Sequence, residues 1–108
     1  MKNIVDLQTL SQAAFESCLR ASDYDLPQDE VDRLQERACR IPYYAHMFAR
    51  DVTRANLRYC QMWACTSSYE ALRFAKLIKG ADIEYCKRHM HSEDLNDFLA
   101  WQMRESLK

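Results

Sequence analysis

The apolar residues of this chain recur in threes and fours. Ala45, Phe48, Ala49 and Val52 stand at i, i+3, i+4 and i+7, and Ala71, Phe74, Ala75 and Ile78 do the same. That spacing brings side chains to one face of an α-helix. A second kind of helix is marked at i, i+3 and i+7 by Leu57, Cys60 and Ala64, then by Ile83, Cys86 and Met90. The two kinds alternate, with short joins near Arg54 and Gly80.

The alternation is an expected repeat. A shift of 26 residues sets ACRIPYYAHMFARDVTRANLRYC (38–60) against ACTSSYEALRFAKLIKGADIEYC (64–86), with nine identities in 23 positions. Average composition gives about one or two by chance. Conservative pairs such as Arg50/Lys76, Val52/Ile78 and Asn56/Asp82 add to them. The pattern weakens outward. Val31, Leu34 and Ala38 imitate the second helix type, and Leu95, Phe98 and Leu99 imitate the first with a shift of 24. Phe15, Cys18 and Leu19 open the series. Helix-start signals agree: Pro42 suits a first turn, Ser67 with Glu70 reads as a capping box, and Ser92 precedes two acids that favour the helix dipole. The expectation is an all-α fold of about seven short helices, stacked as hairpins with an internal 26-residue repeat. Residues 1–108 form a single domain with degenerate capping units on either side of the repeats.

The units YYAHMFARDVTRANLRYC and YEALRFAKLIKGADIEYC resemble the short tandem helix-hairpin repeats of many small phage and prophage proteins. Their shared pattern runs aromatic-Ala-x-x-aromatic-Ala-x-x-hydrophobic-basic-Gly-x-x-x-Glu. Lys79, Gly80 and Glu84 match it. The Arg-Trp pair that usually follows the glycine is absent, and Arg54 stands where the first unit should have Gly. The resemblance covers residues 38–99. It implies a fold and a phage origin but brings no functional residues.

Composition narrows the function. One Gly and two Pro leave little material for hairpin turns, and one Gly leaves no phosphate-cradling loop. The amino-terminal stretch MKNIVDLQTLSQAAF has no continuous apolar run, and no segment reaches the roughly 18 residues of a membrane span. A cytoplasmic setting with no membrane association is expected, the host cytoplasm if the protein is phage-encoded. The cysteines Cys18, Cys39, Cys60, Cys65 and Cys86 are then reduced thiols.

Cys60, Cys65, Cys86, His89 and His91 have the ligand types of a zinc site, but their spacing matches no strong signature. Cys60 and Cys86 hold equivalent repeat positions, as do Cys39 and Cys65, so they are read as small packing residues. No acid partner or oxyanion loop can be assigned to a Cys–His pair. The protein is read as a non-enzyme with no metal and no cofactor.

Charge is segregated beneath a formal net of -1: residues 1–36 carry eight acids and three bases, 37–88 ten bases and four acids, and 89–108 four acids and two bases. Such asymmetry speaks about partners. In the acidic part, Asp29, Glu30 and Asp32 read as a solvated helix start or as an acidic patch facing a basic partner. In the basic middle, Arg50, Arg54 and Arg58 follow at i+4, and Arg73, Lys76 and Lys79 at i+3. In a stack these rows are expected to form one contiguous positive ridge. Tyr44, His46 and Trp63 have no counterparts in the other repeat unit, and aromatics of this kind either fill the ends of a core or anchor an interface.

The expected partner-binding set is therefore Tyr44, His46, Arg50, Arg54, Arg58, Trp63, Arg73, Lys76 and Lys79. The expected function is noncatalytic binding of a protein partner. Given the phage resemblance, the concrete form is inhibition of a host defence complex such as a CRISPR effector. The alternative is a small nucleic-acid-binding regulator using its basic helical face, though a near-neutral chain argues against strong general DNA affinity.

Overall fold

The computed structural model describes residues 6–20 and 25–108, so the first residues of the amino-terminal stretch read above lie outside it. Seven helices account for most of them: α1 (Leu7–Arg20), α2 (Gln28–Ala38), α3 (Pro42–Asp51), α4 (Leu57–Ala64), α5 (Ser68–Leu77), α6 (Ile83–Arg88) and α7 (Ser92–Ser106).

Their ends are set locally. Thr9 N–H donates to Asp6 Oδ1 at 2.8 Å in the first turn of α1. Pro42 opens α3, where its missing N–H costs no helical bond. Asn56 and Asp82 accept from the N–H of Tyr59 and Tyr85 at 3.1 Å and start α4 and α6, while Ser67 accepts from Glu70 N–H at 3.3 Å and starts α5. These bonds satisfy donors that a helix start leaves without an intrahelical partner.

Helix α7 starts at Ser92 with Glu93 and Asp94 in its first turn, as expected. His91 is the flanking residue, and Ser92 is the first residue of the helix. The cap comes from another helix: Ser68 Oγ accepts from His91 N–H at 2.6 Å and donates to Asp94 Oδ2 at 2.5 Å. One α5 hydroxyl thereby fixes where α7 begins.

The two joins also differ. After α5, Ala81 N–H donates to Ile78 O and Gly80 takes φ 93°, as the third position of a type II turn requires. After α3, Ala55 N–H donates to Val52 O, but no non-glycine residue has positive φ among the described residues. Arg54 therefore replaces the expected glycine by a change of turn.

Each helix packs on its neighbour in sequence, as α1·α2, α3·α4 and α5·α6, and the odd-numbered helices also contact in series from α1 to α7. Principal extents of 50 × 37 × 18 Å describe a flattened body. Its radius of gyration, 15.2 Å, compares with about 13 Å for a near-spherical domain of this length. Phe48, Phe74 and Phe98 are fully buried along the row. Ala38, Ala45, Ala64 and Ala71 are fully buried as well, side chains small enough for close helix approach.

Long-range polar bonds join successive hairpins. Gln35 Oε1 accepts from Asn56 N–H at 2.6 Å, and Gln61 Oε1 accepts from Asp82 N–H at 2.7 Å. Both glutamines are buried, so each bond offsets the desolvation of an amide while fixing a helix start. Arg54 reaches back to Leu26 O at 2.7 Å and Gln28 Oε1 at 2.9 Å, tying the α3–α4 join to the start of α2.

Candidate interaction surface

The sulfur chemistry is arranged in pairs. Cys39 and Cys60 lie 3.6 Å apart, Cys65 and Cys86 3.7 Å apart, and Cys60 and Cys86 also approach the Oε1 atoms of Gln35 and Gln61. All five cysteines are buried thiols. The partner sulfur and burial push the Cys39 thiol up from its ordinary range, and the same causes push up Cys86. Cys65 is shifted the other way, lowered by the Cys86 contact against the effect of burial, but it is only 3% exposed, whereas a nucleophilic thiol needs a partly exposed, electropositive setting.

His89 and His91 are exposed and stand apart from both pairs. His89 Nδ1 donates to Tyr85 O at 2.9 Å, and its ring lies 4.6 Å from that of Tyr85. Among the described residues no group of three or more His, Cys, Asp or Glu side chains could hold a metal ion.

Two residues of the expected partner-binding set are interior. His46 is fully buried and Tyr44 is 9% exposed, so neither can touch a partner. The cause is the place of α3 between α1 and α5 in the odd-numbered row. Tyr44 turns to one side against Phe15, with centroids 6.1 Å apart, and His46 to the other against Phe74, also at 6.1 Å. A helix flanked on both sides buries positions beside its main apolar stripe as well as the stripe itself. Neither His46 ring nitrogen has a hydrogen-bond partner. Burial, with Arg73 and Arg50 nearby and Asp51 opposing them, pushes its pKa down to about 4.

The expected arginine ridge is broken. The i+4 relation holds only along one continuous helix, and the chain turns between Asp51 and Leu57. Arg50 stays at the end of α3 and pairs with Asp51 at 2.7 Å, holding that carboxyl below its ordinary range. Arg54 is engaged with Leu26 and Gln28. Arg58 belongs to α4, where it lines a groove of about 630 Å³ with Tyr59, Met62, Asp82 and Tyr85. Trp63 is half-buried against the core, and its buried indole nitrogen has no hydrogen-bond partner.

What the fold does assemble is a patch across α3 and α5. The Arg73 guanidinium lies 5.7 Å from the Tyr43 ring centre and 5.8 Å from that of Tyr69. Beneath it, buried Glu70 accepts from Arg73 at 3.2 Å. Tyr43 is 42% exposed and Tyr69 59%. Lys76 is half-buried on the same helix, and Lys79, exposed just beyond its end, joins Arg50 and Leu77 around a second groove of about 460 Å³. Cation–π contacts hold the arginine side chain between the rings, so the patch is ordered before any partner arrives.

Sequence reasoning selected Arg73, Lys76 and Lys79 but missed Tyr43 and Tyr69, because it sought anchors among the aromatics without a counterpart 26 residues away and these two are each other's counterpart. The available signal was their position outside the i, i+3, i+4, i+7 stripe of each helix. Gln35 and Gln61 were missed although they too stand 26 apart, since both fall outside the segments compared. No protein-family model, curated protein or solved structure matches this chain, and any functional reading therefore rests on the arrangement of its own residues.

Proposed function

We propose that the protein is a noncatalytic binding module whose working surface is the Tyr43–Arg73–Tyr69 patch with Lys76. The observation that supports this reading is the placement of one arginine between two exposed tyrosines on adjacent helices. Tyrosine and arginine are, with tryptophan, the residues enriched where interfaces concentrate their binding energy. Lys76 and Lys79 beside them favour an acidic partner surface.

The scaffold is read as two copies of one helix-hairpin unit, residues 38–60 and 64–86. Its support is chemical. The Gln35–Asn56 bond recurs 26 residues on as Gln61–Asp82, and the Cys39–Cys60 contact as Cys65–Cys86. Copies of a scaffold that differ on the outside provide a surface free to vary without loss of packing.

The resemblance of these units to phage helix-hairpin repeats carries the concrete form: a small phage-encoded protein that occludes an acidic or nucleic-acid-receiving surface of a host defence complex such as a CRISPR effector. The test is plaque formation by a targeted phage on a host with active CRISPR immunity, with this protein supplied from a plasmid. Wild type should raise plating efficiency, whereas Tyr69→Ala with Lys76→Glu should not, at equal protein level and unchanged thermal stability. No effect of wild type rejects the defence-inhibitor reading, and a fully active double variant rejects the patch. Salt-dependent binding of duplex DNA or RNA by the purified protein, lost in the same variant, would instead favour the nucleic-acid regulator.

A further inference from the structure

Four of the five cysteines meet in pairs across the even-numbered helices. Cys39, at the carboxyl end of α2, reaches Cys60 of α4, and Cys65, at the carboxyl end of α4, reaches Cys86 of α6. Packing asks only for small side chains, and Ala38 and Ala64, fully buried beside the first cysteine of each pair, already supply them. The sulfur separations of 3.6 and 3.7 Å are close to the roughly 3–3.5 Å from which two positioned atoms react. The second cysteine of each pair donates to a buried glutamine Oε1, Cys60 to Gln35 at 3.5 Å and Cys86 to Gln61 at 3.6 Å. Its proton is thereby turned away and a sulfur lone pair faces the first cysteine.

We propose that the two pairs are dithiol–disulfide couples that a peroxide closes within the folded protein, stapling α2 to α4 and α4 to α6. The row packs through its odd-numbered helices, whose contacts run in series from α1 to α7. Bonds at the two pairs would add a second, covalent line through the even-numbered ones. The hairpins α1–α2, α3–α4 and α5–α6 would then be locked in series.

The step balances with hydrogen peroxide as the oxidant. The Cys65 thiolate attacks one peroxide oxygen, the O–O bond breaks, and the departing hydroxide takes up the thiol's proton as water, leaving a sulfenic acid. Cys86 then attacks that sulfur. The S–S bond forms, the S–O bond breaks, and the hydroxyl leaves with the Cys86 proton as a second water. Two thiols have lost two electrons and two protons, and one peroxide has become two waters.

The Cys65–Cys86 pair closes first. Cys65 alone of the four has any exposure, 3%, and its contact with Cys86 holds the thiol below its ordinary range. Cys39 and Cys60 are both fully buried, and the Cys39 thiol is pushed up. Burial excludes a bulky aromatic reagent, whereas peroxide is close to water in size and needs only a local opening of the fold.

The test treats the reduced, folded full chain with hydrogen peroxide at neutral pH, then alkylates it in urea. Cross-links are mapped by mass spectrometry after a digestion that cuts behind Trp63, between Cys60 and Cys65. Titratable thiols should fall from five to one, that of Cys18. The Cys65–Cys86 link should appear before Cys39–Cys60, with helical circular dichroism unchanged. The urea midpoint should rise by about 1 M or more and fall back on treatment with a dithiol reductant. Cys86→Ala should lose the Cys65 link and still close Cys39–Cys60. Survival of all five thiols overturns the proposal, as do sulfinic acids without cross-links or cross-links between other cysteines. Closure of one pair alone overturns the serial staple, and loss of helix on oxidation shows that the bonds do not belong to this fold.

Discussion

Acidification from pH 7.5 to 5 should cost this protein about 2 kcal/mol through one residue, His46. Its imidazole is fully buried against Phe74 with both nitrogens unpartnered, and Arg73 and Arg50 add positive charge nearby. The native pKa is pushed from 6.5 to about 4. The unfolded chain therefore binds a proton as pH falls through 6.5, while the native state does not until about 4. Stability is complete above 6.5, declines between 6.5 and about 4, and is flat below as far as this residue is concerned. The full window corresponds to about 3 kcal/mol at 1.36 kcal/mol per unit of pKa, of which about 2 is lost by pH 5. Asp51 is depressed instead, so its contribution disappears only below the ordinary carboxylate range and leaves the upper window to His46.

The assay is urea unfolding at pH 7.5 and 5, for wild type and His46→Leu. Leucine is the residue at the equivalent buried position, Leu72. The substitution removes two unsatisfied polar atoms, so it should stabilise the protein by about 1–3 kcal/mol at pH 7.5 and flatten the pH response. A wild type that loses less than about 0.5 kcal/mol over this range would refute the reasoning. A variant that loses as much as wild type would refute it equally.

Other perturbations test the remaining architecture. Gln61→Ala leaves the Asp82 N–H without its 2.7 Å partner, and urea titration should show a loss of about 1–2 kcal/mol, matched by Gln35→Ala at Asn56. Gly80→Ala forces a side chain onto φ 93° and sets its Cβ 3.2 Å from Leu57 Cδ1; a fall of about 1–2 kcal/mol is expected, and an unchanged midpoint would mean the turn has another form. All five thiols should resist an aromatic disulfide reagent in the native protein at neutral pH and react together once urea unfolds it. Rapid labelling of any one in the native state would contradict the burial described.

The helices were legible because their information is local. Periods of three and four residues, Pro42 at a first turn and Ser67 before α5 act within one turn of chain. The alternation of two helix types identified Phe48, Phe74 and Phe98 as core positions, and all three are fully buried. The surface was legible only in part. Arg73 and Lys76 could be selected as basic positions off the apolar stripe, but the tyrosines that make them a patch lie on two helices and meet only when α3 packs on α5.

The tertiary structure decided whatever depended on a neighbour distant in sequence. His46 and Tyr44 are interior because α3 is flanked by α5 and α1, a relation no spacing within α3 can express. The arginine row was broken by a turn that runs without the expected glycine, and its middle member, Arg54, bonds to the start of α2. Helix α7 takes its cap from Ser68, which no local signal marks. Hydrogen bonds and apolar contacts within a turn depend on the order of residues alone. Burial depends on which surfaces the assembled helices leave to water, and that is settled only when the hairpins pack.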